Sequence, residues 1–306
     1  MTARLKRAAR ADRSESAVDK QPAGSGSDAF MRARQAIAGL SALPILDARL
    51  LKIVAEPEAG SQYDGLQTLL HADPTLAARV LKVANSAFFG GPRTIDSIKR
   101  ALDVLGTAAV IGIALAASLD GTVSQLGTTH LGFFDQLRQH SLITAVAARH
   151  LALRRPTETW TPEAAFVLGL LHDLGWLVQL QLASDSQVAV VGAPTALDGL
   201  VRPPPPESGH ALFGAALLSH WSLPGQFANT VLHHHDPLDE HATCGHRLLA
   251  IADRCAHFHA DRLPEGDLVE PADLPLQEFQ LTPDALPQFS AQMAGEALVI
   301  GALVRK

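Results

Sequence analysis

A chain of 306 residues, 47% apolar and 18% charged, can bury one large or two modest cores, and its composition excludes a fibrous or wholly disordered protein. The net charge of −6 and pI near 6.1 argue against a body that grips duplex nucleic acid, which needs a basic face to displace counterions. Two cysteines, Cys244 and Cys255, are too few for a disulfide framework and fit a reduced, cytoplasmic setting.

Residues 1–28 are rich in Arg, Lys, Ser and Gly and poor in large apolar side chains, the composition of a disordered basic tail. Arg4, Lys6, Arg7 and Arg10 are the cluster there that could meet nucleic acid or an acidic lipid. A helical pattern starts at Phe30, and Leu40, Leu43 and Leu46 lead into a helix through Leu50, Leu51 and Val54. Asp73-Pro74 is a start signal, an N-cap followed by proline at the first helical position. Leu76, Val80, Leu81 and Ala84 form the apolar stripe of that helix, and Asn85-Ser86 cap and turn its end. A Gly90-Gly91-Pro92 turn precedes a second stripe, Ile95, Ile98, Leu102 and Leu105, closed by Gly106. The apolar run Thr107 to Leu119 is too short to span a bilayer and reads as a buried helix, so no membrane association is expected.

The second half keeps the helical period but adds polar chemistry. One helix runs from about Phe133 through His140 to Leu153. Thr161-Pro162-Glu163 starts another, expected to carry Leu168, Leu171, His172, Asp173 and Leu177 on one continuous rod. Residues Gly192 to Glu207, with Pro203 to Pro206 in a row, form a loop or spacer. His210, Gly214, Leu217 and Trp221 then follow helical spacing, with Trp221 as a core anchor. Further helices are expected over Gln226 to His234, Cys244 to His259 and about Pro283 to Val304. No strand alternation is present, so the fold class is all-α. The domain plan is a tail over 1–28, a main domain over 29–262 with lobes 29–130 and 131–262, and a connector with a final helix over 263–306.

Fourteen histidines are present, and seven of them lie between His233 and His259. Neutral imidazole is the commonest protein ligand for divalent transition metals, so the clustering points to a metal site. His140 on one helix, the adjacent His172-Asp173 on a second and Asp253 on a late one follow the H…HD…D order of the HD superfamily of metal-dependent phosphohydrolases. Two readings stay open: ligands to a metal, or a buried hydrogen-bonded set that orders helix packing. His241, Cys244 and His246 are a further cluster, but they lack the paired spacing of a zinc site.

The stretches HADPTLAARVLKVANSAFFG, TIDSIKRALDVLG, AAFVLGLLHDLGWLV and HALFGAALLSHWSLPGQFANTVLHHH occur in this order, and together they resemble the HDOD (HD-related output domain) family over about Leu40 to His259. The resemblance implies a multi-helix HDOD fold, an N-terminal helical subdomain packed on an HD-like core, in a bacterial signalling or regulatory protein. Family members are generally regarded as lacking demonstrated enzymatic activity. Carried over position by position, His140, His172, Asp173 and Asp253 match the HD metal ligands. His210, His233 and His234 match histidines that help hold a second metal in the related HD-GYP phosphodiesterases. The implied cofactor is a divalent metal: iron, manganese or zinc.

Three departures weigh against turnover. Many phosphohydrolases follow His-Asp-x-Gly with a lysine that would stabilise phosphoryl charge, whereas this chain has Trp176. The Gly-Tyr-Pro segment is replaced by Asp236-Pro237-Leu238-Asp239, and the only tyrosine is Tyr63. The acidic pair of guanosine tetraphosphate hydrolases is replaced by Trp176 and Leu177. The expected function is therefore a regulatory module that binds a signalling protein or a small nucleotide-like ligand. The alternative is a divalent-metal phosphohydrolase acting on a phosphodiester or nucleotide, in which Asp173 would help orient a metal-bound water.

Overall fold

The computed structural model describes residues 25–39, 49–50, 53, 59–85, 94–123, 131–157, 159–186, 209–221, 223–259 and 273–304. Among them there is no strand. The basic cluster of the tail, Leu40 to Leu46, the Gly90-Gly91-Pro92 turn and the tetraproline lie outside the described residues.

Helix α1 covers Ser25–Ala38, so the helical body takes in the last four residues assigned to the tail. Helices α2 (Ala59–Ala72) and α3 (Pro74–Ala84) follow. Asp73 caps α3 as its spacing demands: the carboxylate accepts from Leu76 N–H, and Pro74 fills the first turn. Val80, Val83 and Ala84 of α3 are buried, with Leu76 and Leu81 half-buried beside them. At the far end Asn85 works as a backbone surrogate. Its Nδ2 donates to Leu81 O and Ile95 O, and its Oδ1 accepts from Ile95 N–H at 2.7 Å, tying the next segment to the end of α3.

Helix α4 (Ile98–Val123) is broken at Gly106, whose φ of 76° and ψ of 158° end the first stripe where the sequence places its stop. Both α2 and α3 pack on α4. Tyr63 fastens α2 to it by donating to Asp103 Oδ1 at 2.7 Å, so the only tyrosine of the chain has a structural role.

Helix α5 (Leu131–Arg154) is the axis of the second lobe and packs against α6 (Pro162–Leu171), α10 (Cys244–His259) and α11 (Leu286–Val304). Small side chains make this possible. Ala145, Val146, Ala147, Ala148 and Ala152 of α5 are buried, and a Cβ on Gly169 of α6 would stand 2.7 Å from Ala145 Cα. Only glycine permits that approach between the two backbones.

Helix α7 (Gly175–Ser186) packs on α8 (His210–His220), which also meets α1 and the short α9 (Gly225–Leu232). Trp221 is buried at the C-cap of α8, a core anchor as its spacing suggests. The final helix closes the lobe: Ser290 Oγ donates to Cys255 O, and His150 Nε2 sits 2.9 Å from Glu296 Oε2. No described helix is long and apolar enough to cross a membrane.

Candidate metal centre

The expected single rod through His172 and Asp173 is not formed. Helix α6 ends at Leu171, a turn holds His172, Asp173 and Leu174, and α7 starts afresh at Gly175. The apolar period runs on through Leu174 and Leu177, so sequence alone hides the break. Packing supplies the reason. A Cβ on Gly175 would overlap His210 O and lie 2.6 Å from Gly214 N, so the start of α7 rests directly on the backbone of α8. That seating brings His210, the first residue of α8, beside the His172-Asp173 turn.

His140 reaches the same place from the middle of α5, Asp253 and His257 from α10, and His234 and His235 from the turn after α9. Asp173 stands between two sets of imidazoles. Its Oδ2 is 3.5 Å from His140 Nε2 and 3.3 Å from His172 Nε2. Its Oδ1 is 3.4 Å from His210 Nε2 and 3.5 Å from His234 Nε2. Asp253 Oδ1 joins the first set at 2.9 Å from His140 Nε2 and 3.5 Å from His172 Nε2. His235 Nε2 joins the second at 3.0 Å from His210 Nε2.

Two of the imidazoles are anchored to the backbone on one side and face the other groups on the other. His172 Nδ1 lies 2.8 Å from Gly169 O, and His234 Nδ1 lies 2.6 Å from Val231 O. Each of those nitrogens donates to its carbonyl, which orients the ring and directs Nε2 inward. Nε2 of His140 then meets Nε2 of His172 at 3.3 Å, and Nε2 of His210 meets Nε2 of His234 at 3.4 Å. Asp253 Oδ1, although 2.9 Å from His140 Nε2, is off the line of a hydrogen bond and is buried without a partner of good geometry. Ring nitrogens and carboxylate oxygens converging in so buried a site must either share protons among themselves or turn their lone pairs to a cation at each focus. The donor set, imidazole nitrogens with carboxylate oxygens, fits divalent iron, manganese or zinc.

Electrostatics without metal follow the same layout. Burial lowers the basicity of His210, and the neighbouring His234 and His172 add to this against Asp173, leaving it at about 3. Burial with His234 and His210 nearby takes His235 to about 2, and burial holds His257 at about 4 despite Asp253. For His172 burial also opposes the charge, but Asp173 and Asp253 outweigh it and push the imidazole up to about 10. The same contest goes the other way for the acids: burial would raise Asp173 and Asp253, yet the surrounding histidines hold both well below the usual carboxylate range. Most of the imidazoles whose basicity is displaced are thus neutral and ready to donate, and His172 holds the proton that a metal would replace.

The structure gathers His140, His172, Asp173, Asp253, His210 and His234, six of the seven residues singled out in sequence. His233 is the exception and does not join these groups. As the C-cap of α9 it turns outward, its Nδ1 2.6 Å from Asp236 Oδ2, and its place is taken by His235. His233 instead lines a cavity of about 380 Å³ with Asp236, His241 and His246. His257 was not foreseen, although Asp253-x-x-x-His257 is helical same-face spacing. His241, Cys244 and His246 do not converge: His241 is exposed, and Cys244 Sγ accepts from Arg155. Trp176, in the position expected to oppose turnover, is buried and lies flat on His210, ring centroids 4.7 Å apart and planes 5° from parallel.

Comparison with known proteins agrees with this architecture. A curated relative, an uncharacterized protein of Treponema pallidum (strain Nichols), is 27% identical over 204 residues, 63% of this chain. The match covers only 38% of that relative's length. A candidate signal transduction protein of Marinobacter aquaeolei VT8 superposes with a TM-score of 0.64 at 20% identity, over 91% of this chain and 65% of its own. A candidate metal-dependent phosphohydrolase of Shewanella amazonensis SB2B gives a TM-score of 0.53 at 19% identity, over 87% and 99% of the two chains. At such identities the structural likeness speaks for the fold alone. The HDOD domain profile matches residues 40–237, well over half of the sequence, and the chain therefore belongs to the HDOD domain family.

Proposed function

We propose that this protein is an HDOD regulatory module that holds a pair of divalent metal ions in its HD-like lobe and acts by binding a signalling protein or a nucleotide-like ligand, without turnover. The observation that carries the metal reading is Asp173, whose two oxygens face two separate histidine sets. His140, His172, Asp173 and Asp253 would hold one ion, and Asp173, His210, His234 and His235 the other. Trp176 supports the regulatory side of the proposal. An indole stacked on a ligand histidine has no charge to offer a phosphoryl group and shields the ligand from water. Two buried cysteines that form no disulfide with each other are in keeping with a cytoplasmic setting.

A second reading, phosphodiester or nucleotide hydrolysis, is favoured by the same bridging carboxylate and by the name of the Shewanella amazonensis structure. Bound metal would there supply an acidified water, and Asp173 would be the group that orients it. One preparation tests both readings. Tag-free wild-type protein and the His172→Ala/Asp173→Ala double variant are compared by metal mass spectrometry and by assay against phosphodiesters and nucleotides. The proposal expects about two equivalents of iron, manganese or zinc in the wild type, none in the variant, and no hydrolysis by either. Folded wild type that takes up no divalent ion sinks the metal reading, and hydrolysis lost in the variant overturns the regulatory one.

A further inference from the structure

Helix α10 brings two polar residues to the first histidine set, where the HD pattern calls for one. Asp253 and His257 are one helical turn apart and share a face. His257 is buried, and its Nε2 lies 3.5 Å from Asp253 Oδ1, the same oxygen that meets His140 and His172. Its ring centroid is 4.8 Å from that of His140, with the planes tilted by 58°. That tilt is not a stacked pair. The ligand atoms of His140, Asp253 and His257 all lie within 4.8 Å of one another. His257 thus faces a buried carboxylate oxygen that lacks a well-aligned hydrogen-bond partner.

We propose that His257 is a fifth protein ligand of the first centre, which then offers three imidazoles and two carboxylates. This deepens, and rests on, the metal reading above. Catalytic metal centres leave a position open for water, whereas this arrangement fills one more position from the protein itself. Five nitrogen and oxygen donors also exceed the four of a structural zinc site and suit an iron(II)- or manganese(II)-like ion of higher coordination number. The second centre, with Asp173, His210, His234 and His235, keeps four protein ligands. The two centres are therefore unequal: the one against α10 has five protein ligands and the one against α8 has four.

The test uses the full chain, stripped with chelator and titrated with Co²⁺ while the visible spectrum is followed, with water-proton relaxation measured after Mn²⁺ loading. His257→Gln and His257→Ala are compared with wild type. In the variants one of the two Co²⁺ affinities is expected to fall roughly 10- to 100-fold, with a changed visible spectrum and greater water relaxation as solvent enters the freed position. Unchanged affinities, spectrum and relaxation in a folded variant reduce His257 to a packing partner of His140 and overturn the proposal. The glutamine variant keeps most of the side-chain volume and carries the test if the alanine variant fails to fold. Wild type that binds no Co²⁺ instead brings down the metal reading itself.

Discussion

The helices before residue 124 and those from α5 to α10 treat polar side chains in opposite ways. In the first group each notable polar group is spent on a backbone or a single partner: Asp73 on Leu76 N–H, Asn85 on Leu81 and Ile95, Tyr63 on Asp103. In the second, imidazoles and carboxylates are buried and aimed at one another, nitrogen to nitrogen at 3.0–3.4 Å. Polar groups spent on the backbone define a scaffold, whereas buried titratable groups turned on one another define a candidate site.

The largest effect that can break this contrast is acid lability of the metal-free protein. His210, His235 and His257 have folded pKa values near 3, 2 and 4, below the unfolded value near 6.5. A histidine depressed on folding costs stability once the unfolded chain begins to take protons, so stability falls as pH drops below 6.5 towards 4. His172 acts in a different window. Raised to about 10, it contributes fully below pH 6.5 and loses that contribution as pH rises through 10. Asp173 and Asp253, depressed on folding, hold their stabilisation above the carboxylate range and lose it only in stronger acid. All three depressed histidines pull in the same direction over this pH range. Urea midpoints from pH 7 to 4 on chelated protein read this directly. A flat profile would mean that the imidazoles are reached by water and that the buried cluster is misdescribed.

Next in size is Gly175→Ala. Its methyl group has no room against His210 O and Gly214 N, so α7 and α8 must part. The expected cost is about 3 kcal/mol, with loss of metal from the second centre before the first, because His210 rides on α8. Thermal denaturation and metal stoichiometry on one sample separate the two consequences. Full metal content at a lowered Tm would show that the second centre does not depend on this backbone contact.

Gly175 also marks the limit of what the sequence discloses. Caps, prolines and apolar periods are local signals, and they place α3, α5, α8 and α10 within a few residues, α10 at both ends, and the start of α6 but not its end. The break at His172-Asp173 is imposed by the backbone of another helix, and nothing between Leu168 and Leu177 interrupts the apolar pattern. The same limit applies to His233, His234 and His235. Three identical neighbours cannot be ranked by type, and the turn after α9 decides that the second and third face inward while the first pairs with Asp236. His257 is a different case. Its i,i+4 spacing to Asp253 was visible, but a resemblance that ends its ligand set at the aspartate directs attention away from it.

The smallest predicted effect sharpens the contrast from the scaffold side. Asn85→Ala removes one donor and one acceptor shared with Ile95 and a second donation to Leu81, leaving the Ile95 N–H and C=O to find other partners. The expected loss is about 2 kcal/mol in urea unfolding, with metal content at the wild-type level. The two readouts bear on different claims. A smaller loss would mean that water replaces the amide at the end of α3. Loss of metal from a folded Asn85→Ala protein would mean that the first helices tune the centre they pack beside, and the division into scaffold and site would then have to be redrawn through α4, which packs on both α3 and α6.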